Sequence, residues 1–258
     1  MLVDFFIVGT QKAGTSALDR HLRMFPAVQM ASVKEIHFFD DEDVDWSRPD
    51  YARLHRSFDW DDPRHVIRGE ATPIYAYWPN ALVRLHHYNP AARLIMALRH
   101  PAFRAYSHWR METKRGADQL PFSDAIREPG RRRVAAAPNG AHRVFSYVER
   151  GFVASQIETA LGLFSRERLL FLRTDALWND PCGTLDRVAD FLQVPARLDF
   201  ETHYVVPLLS WDPTAMAPED RRYLDELYAD DIRRSARFSG LDLSDWIDPA
   251  YEEPMRPE

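Results

Sequence analysis

The chain has 258 residues, 45% of them hydrophobic, with 33 Lys and Arg against 39 Asp and Glu; that is enough apolar material for one substantial core in a single domain. A net charge of −6 argues against a general role on nucleic acid or on an anionic membrane surface. The single cysteine, Cys182, excludes an internal disulfide; no apolar run approaches the roughly 18 residues of a membrane span, and no charged leader precedes the first strand, so a cytoplasmic protein is expected.

Phe5-Phe6-Ile7-Val8 reads as a buried strand, Gly9 and Gly14 bracket a tight turn, and Thr15-Ser16 opens a helical pattern carried by Leu18, Leu22 and Phe25. A strand-loop-helix of this kind gathers backbone N–H groups and the positive end of the helix dipole at one point, where an anion binds naturally. Lys12 adds a full charge there. The pattern nearly matches the Walker phosphate loop, G-x-x-x-x-G-K-[ST]. Gly9, Gly14 and Ser16 fall in register, but Thr15 holds the place of the Walker lysine and the only lysine, Lys12, lies inside the loop.

After a turn at Pro26, Val28 to Met30 fits a short strand. If Glu35 to Phe39 is extended, the period of two places Glu35, His37 and Phe39 on one face, with Ile36 and Phe38 on the other. The stretch from Asp40 to Pro63 reads as an acidic, aromatic loop with one short helix, and Val66 to Pro73 as a brief strand that ends in a turn.

Leu82, Val83 and Leu85 suggest a helix between Pro79 and Tyr88, leading into a strong strand at Arg93 to Leu98. That strand ends in Arg99-His100, a cation where a Walker NTPase would carry an acidic metal ligand. Pro101 then starts a helix well, because its missing N–H would have had no partner in the first turn. The region from about Lys114 to Arg143, rich in Arg, Pro, Gly and Ala, is the most loop-like part of the chain and is expected to be a mobile flap. Helices follow at Val153 to Phe164, at Pro181 to Leu192 and around Leu224, Leu227 and Ile232, with a strand at Arg168 to Leu172 and a loosely held tail beyond Trp246, about 247–258. The alternation implies an α/β fold with a central, mainly parallel sheet flanked by helices. Ligands of such sheets lie beyond the carboxyl ends of the strands, where Lys12, Glu35 and Arg99 are expected to gather.

Four stretches, in this order, resemble sulfotransferases that use 3′-phosphoadenosine 5′-phosphosulfate, and most closely their carbohydrate branch, typified by heparan sulfate sulfotransferases and bacterial relatives. They are Val8 to Ser16, Lys34 to Asp40, Glu70-Ala71-Thr72-Pro73, and Leu98 to Pro101 with Tyr106-Ser107 following. The resemblance implies that Gln11, Lys12, Ala13, Gly14, Thr15 and Ser16 hold the 5′-phosphosulfate, with Lys12 at the bridging oxygen of the leaving phosphate. It implies Arg99 and Ser107 as ligands of the 3′-phosphate, Glu35 as catalytic base, and His37, Asp40 and Glu70 on the acceptor side, with no metal. Two departures stand out: Ala71 replaces the lysine of the Glu-x-Thr-Pro motif, and Tyr204 to Trp211 lacks the basic residues of the family's nucleotide lid.

Singly, each feature has a plainer explanation. The loop can be an ordinary tight turn, Glu35 and His37 an exposed pair, Arg99 a solvated strand end, Glu70 a structural acceptor and Arg131 to Arg133 a solvated loop. Joint occurrence in order favours a sulfotransferase acting on a carbohydrate or small-molecule acceptor. The rivals are a P-loop kinase or NTPase and a non-catalytic nucleotide-binding module. Trp46, Trp60, Tyr75, Tyr77 and Trp78 are candidates for lining an acceptor pocket.

Overall fold

The computed structural model describes residues 1–195 and 216–254. These gather into two compact units, one of residues 1–98, 159–195 and Pro254, the other of residues 99–158 and 216–253. In chain order the main elements are β1 (Phe5–Gly9), α1 (Thr15–Leu22), β2 (Val28–Met30), α2 (Ala52–His55), β3 (Ile67–Ala71), α3 (Ala81–Tyr88), β4 (Arg93–Leu98), α4 (Pro101–Lys114), α5 (Phe122–Ala125), α6 (Glu128–Ala135), α7 (Val153–Leu163), β5 (Leu169–Arg173), α8 (Thr174–Asn179), α9 (Pro181–Leu192) and α10 (Pro218–Ser239).

The first unit is built on one five-stranded sheet in the order β2-β3-β1-β4-β5. Every pairing is parallel, with Phe5 opposite Gly69 and Arg93, and Leu94 opposite Leu169. β1 is buried at all five positions, as a central parallel strand covered on both faces should be. Phe5, Ile7, Leu18, Leu22, Ile95, Leu172, Leu185 and Val188 form one apolar cluster between sheet and helices. At Gly69 a Cβ would overlap the Phe5 ring, so the central pairing depends on that glycine. Because the strands run in one direction, Gly9, Ala71 and Leu98 all end at the same edge.

The second unit contains α4, α5, α6 and α10. Pro101 stands in the first turn of α4, and the His100 ring caps that helix by accepting from the Ala102 N–H at 3.3 Å. The segment between Lys114 and Arg143 differs from its loop-like expectation, since it contains α5 and α6. Pro129 lies in the first turn of α6 with Glu128 beside it, a helix start rather than a break. The arginines are not simply solvated: Arg131 pairs with Glu149 at 2.9 Å, and Arg133 pairs with Asp118 through both terminal nitrogens, at 3.0 and 2.8 Å.

The described part of the tail is also held. Trp246 is buried, the Tyr251 ring stacks on His100 at 5.2 Å between centroids, and Glu253 pairs with Arg99. Among the described residues no helix is long and apolar enough to cross a membrane, and no group of three or more His, Cys, Asp or Glu is placed to hold a metal ion. The stretch Tyr204 to Trp211, which lacks the basic residues of the family's nucleotide lid, lies outside the described residues.

Candidate active site

The loop between β1 and α1 is fixed at its first residue. Thr10 donates to the Ala97 carbonyl from its backbone N–H at 2.8 Å and from its hydroxyl at 3.0 Å, and the Ala13 N–H returns to the Thr10 carbonyl at 3.1 Å. Lys12 and Gly14 both adopt left-handed backbone, with φ of 73° and 82°. Gly14 is the N-cap of α1 and offers no side chain to its first turn, which also carries no acidic residue. The leading N–H groups of a helix have no intrahelical acceptor, so Thr15 and Ser16 present a positive terminus suited to an anion. Gly14 needs its glycine for the left-handed φ rather than for space, because a Cβ would meet Thr174 only at 3.4 Å.

Thr174, the first residue of α8, completes this frame. Its buried hydroxyl lies 2.8 Å from the Ala13 carbonyl and 2.9 Å from the Leu98 carbonyl, joining the β1–α1 loop to the end of β4. Sequence reasoning missed both α8 and this threonine. The available signal was its place directly after a parallel strand, at the edge where such sheets bind ligands.

Residues 35–38 are not a strand. His37 has φ 55°, which ends the alternation, and Phe38 and Phe39 are both buried although a period of two would separate them. Glu35 and His37 nevertheless meet, with His37 Nε2 3.3 Å from Glu35 Oε2. The other ring nitrogen, Nδ1, lies 2.8 Å from Asp40 Oδ2, and Asp40 is fully buried. Lys34 Nζ sits 3.1 Å from Glu35 Oε1. Asp40 first, and Glu35 second, push the imidazole up to about 9 against the opposing effect of burial. For Glu35, burial favours the neutral acid, but hydrogen bonds from His37 and Lys34 outweigh it and hold the carboxyl below its ordinary range. At neutral pH Glu35 is therefore a carboxylate and His37 an imidazolium.

Five non-glycine residues among those described have positive φ: Lys12, His37, Asn80, Asn139 and Gln193. Asn80 caps the start of α3, Gln193 caps the end of α9 and Asn139 lies in a short turn, where left-handed backbone is ordinary. The remaining two, Lys12 and His37, lie in the β1–α1 loop and in the Glu35 segment, outside any helix cap. Backbone strain held at such positions is a mark of a functional site.

Glu70 is fully buried, and burial pushes its carboxyl up to about 8. It lies beneath the Glu35 segment, where its Oε1 accepts the Ile36 N–H at 3.3 Å. An open depression of about 420 Å³ adjoins Glu35 and His37, lined also by Val33, Ile36, Arg53 and Ser57. Arg53 donates to the His37 carbonyl at 3.0 Å and pairs with Asp41 at 2.6 Å. The five candidate aromatics do not line it: Tyr75 is interior, Trp46 packs on Phe38, and Trp60 packs on His55.

In the second unit, Arg99 is clamped by Glu253, Nε to Oε1 at 2.7 Å and a terminal nitrogen to Oε2 at 2.6 Å. Ser107 stands on α4, partly buried.

A family model described as a sulfotransferase domain matches residues 2–206. Heparan sulfate glucosamine 3-O-sulfotransferase 6 of Mus musculus is 32% identical over 189 residues, which cover 72% of this chain and 51% of that protein. The chain spans about half the length of the curated relatives it matches. Among solved structures, a sulfotransferase from Alicyclobacillus acidocaldarius superimposes with a TM-score of 0.74 at 26% identity, covering 95% of this chain and 99% of that one. Mouse sulfotransferase SULT7A1, solved in complex with PAP, shares the fold at a TM-score of 0.50 and 14% identity, with 92% and 86% covered.

Proposed function

Since the chain belongs to the sulfotransferase family, we propose that it moves a sulfuryl group from 3′-phosphoadenosine 5′-phosphosulfate to a hydroxyl or amine of a sugar or other small molecule, with Glu35 as general base. The observation that carries this reading is the geometry of the Glu35, His37, Asp40 line, in which both ring nitrogens of His37 are taken by carboxyl oxygens, at 3.3 and 2.8 Å, and Glu35 keeps an edge on the depression. An imidazole pushed to about 9 between two carboxylates is already protonated at neutral pH and has no capacity to take a second proton. Glu35 is ionised, partly exposed and borders the open depression. A positioned base with this protonation state is what the acceptor O–H or N–H requires.

In the proposed step the acceptor oxygen or nitrogen forms a bond to sulfur and its proton passes to a Glu35 carboxylate oxygen. The bond from sulfur to the bridging phosphate oxygen breaks, and adenosine 3′,5′-bisphosphate leaves with that electron pair. His37 orients Glu35, and Asp40 holds His37 in turn. Gln11 to Ser16 cradle the 5′-phosphosulfate, and the Lys12 ammonium faces the charge that develops on the leaving oxygen. Arg99 and Ser107 are assigned to the 3′-phosphate. The transferred group carries less charge than a phosphoryl group, so this chemistry does not need the magnesium of a kinase.

Adenosine 3′,5′-bisphosphate at 100 times its Kd should stabilise the fold by about 2.7 kcal/mol, a rise in Tm of roughly 5–10 °C for a chain of this size. ATP with magnesium should raise it far less; an equal or larger rise with ATP returns the kinase reading. The clamp on Arg99 gives a second expectation, since a 3′-phosphate must displace the Glu253 carboxylate. Glu253→Gln should tighten the bisphosphate by on the order of 10-fold, equivalent to about 1.4 kcal/mol. Adenosine 5′-phosphosulfate, which lacks the 3′-phosphate, should bind both forms alike. Equal effects on both ligands in calorimetry would take Arg99 out of this role.

A further inference from the structure

The Glu35 segment forms neither helix nor strand, so its backbone donors need acceptors from elsewhere in the fold. Four consecutive N–H groups find them on three side chains of one short stretch after β3 begins. Ile36 donates to Glu70 Oε1 at 3.3 Å, His37 to Thr72 Oγ1 at 3.5 Å, and Phe38 and Phe39 both to the Tyr75 hydroxyl, at 3.0 and 3.4 Å. The Thr72 hydroxyl itself donates to Glu70 Oε1. Glu70, Thr72 and Tyr75 are all fully buried, so none of them is available to an acceptor molecule in the depression.

The same stretch is tied to the strand that opens into the phosphate loop. The Ala76 N–H donates to the Val8 carbonyl at 2.9 Å. Its methyl group packs so close to Gly9 that a Cβ there would stand only 3.1 Å away. One short piece of chain therefore contacts both the end of β1 and the backbone that carries Glu35 and His37. Burying three polar side chains is costly unless their partners are well placed, and here the partners are the backbone of the proposed catalytic segment.

We propose that Glu70, Thr72 and Tyr75 are positioning residues that form a side-chain template, fixing the Glu35–His37 backbone at a set reach from the Gly9 end of the phosphate loop. This rests on the assignment of Glu35 as base. It also gives the Glu-x-Thr-Pro stretch a task that does not depend on a lysine at Ala71, because the three acceptors act from buried side chains and residue 71 is not among them.

The test uses pairs that differ by one hydroxyl. Thr72→Val keeps the shape and removes the acceptor; Thr72→Ser restores it; Tyr75→Phe removes only the phenolic oxygen. In the full-length protein, kcat should fall roughly 10- to 100-fold in Thr72→Val and Tyr75→Phe, the scale of a misplacement of about 1 Å. KM for the sulfate donor should stay within about twofold, and Thr72→Ser should recover most of the loss. An NMR titration of the His37 ring, its signal identified by its absence in His37→Gln, supplies a readout that needs no substrate. The midpoint near 9 should drop towards the ordinary 6.5 in Thr72→Val and stay in Thr72→Ser.

If Thr72→Val keeps both its kcat and its His37 midpoint, the template does not position the base and the proposal is overturned. If Tyr75→Phe fails to fold, the threonine pair still decides. A protein with no sulfuryl transfer whose His37 midpoint still follows the Thr72 hydroxyl would sink the reaction assignment while leaving the template standing.

Discussion

Glu35→Gln should lower kcat by roughly 10²–10⁴, the usual worth of a positioned general base, while bisphosphate binding stays within a few-fold. The amide has nearly the same shape and retains an oxygen for His37, so the geometry of the line persists; what disappears is the ability to accept a proton. In the wild type the pH profile should be flat through neutrality, with two limbs. Turnover falls on the acid side below pH 4.5, because Glu35 is held below its ordinary value. It falls again on the alkaline side near 9, as His37 loses its proton and no longer bridges the two carboxylates. The same shift links to stability: the folded value is raised above the unfolded one, so the His37 contribution is complete below pH 6.5 and lost as pH rises through about 9. His37→Ala should cost less than Glu35→Gln. A variant Glu35→Gln with near wild-type turnover beside an inactive His37→Ala would exchange the two assignments.

Lys12→Gly should cost roughly 10²–10³ in kcat, the range for removing one group that stabilises developing charge, and should not lower Tm. The prediction comes from the backbone as well as the charge. A left-handed residue with a side chain is strained by about 1–2 kcal/mol, and Lys12 sits at φ 73°. Glycine removes that strain but adds about 0.5–1 kcal/mol of unfolded-state freedom, so the backbone effects leave the variant no less stable. A residue kept for folding would lose stability on this change; a residue kept for chemistry loses turnover alone. If kinetics are unaltered and Tm falls by several degrees, Lys12 is a structural residue of the loop.

The parts of the fold written in contiguous apolar runs were legible without coordinates. Phe5 to Val8 and Arg93 to Leu98 have the unbroken hydrophobicity of covered parallel strands, and both stand as β1 and β4. The helix at Pro181 to Leu192 was equally clear from its apolar stripe. What local pattern misses is contact between distant segments. Alternation made residues 35–39 a strand, yet their conformation is set by Glu70, Thr72 and Tyr75, more than 30 positions away. Glu35 and His37 meet all the same, because the left-handed turn at His37 and the buried carboxylate of Asp40 bring them together.

The same limit hid the Thr174 brace, 161 residues from the Ala13 carbonyl it reaches, and the Glu253 clamp on Arg99, 154 residues away. Composition misled at Arg131 to Arg133, where an Arg- and Gly-rich stretch folds as α6 once Asp118 and Glu149 supply carboxylates.

Transfer of radiolabelled sulfate from 3′-phosphoadenosine 5′-phosphosulfate to a panel of sugars, phenols and amines, run in the presence of EDTA, tests the central claim most directly. The account predicts a labelled product from the wild-type chain, no gain on adding magnesium, and loss of that product in Glu35→Gln. No labelled product from the sulfate donor, together with acceptor labelling from γ-labelled ATP that requires magnesium, would contradict it.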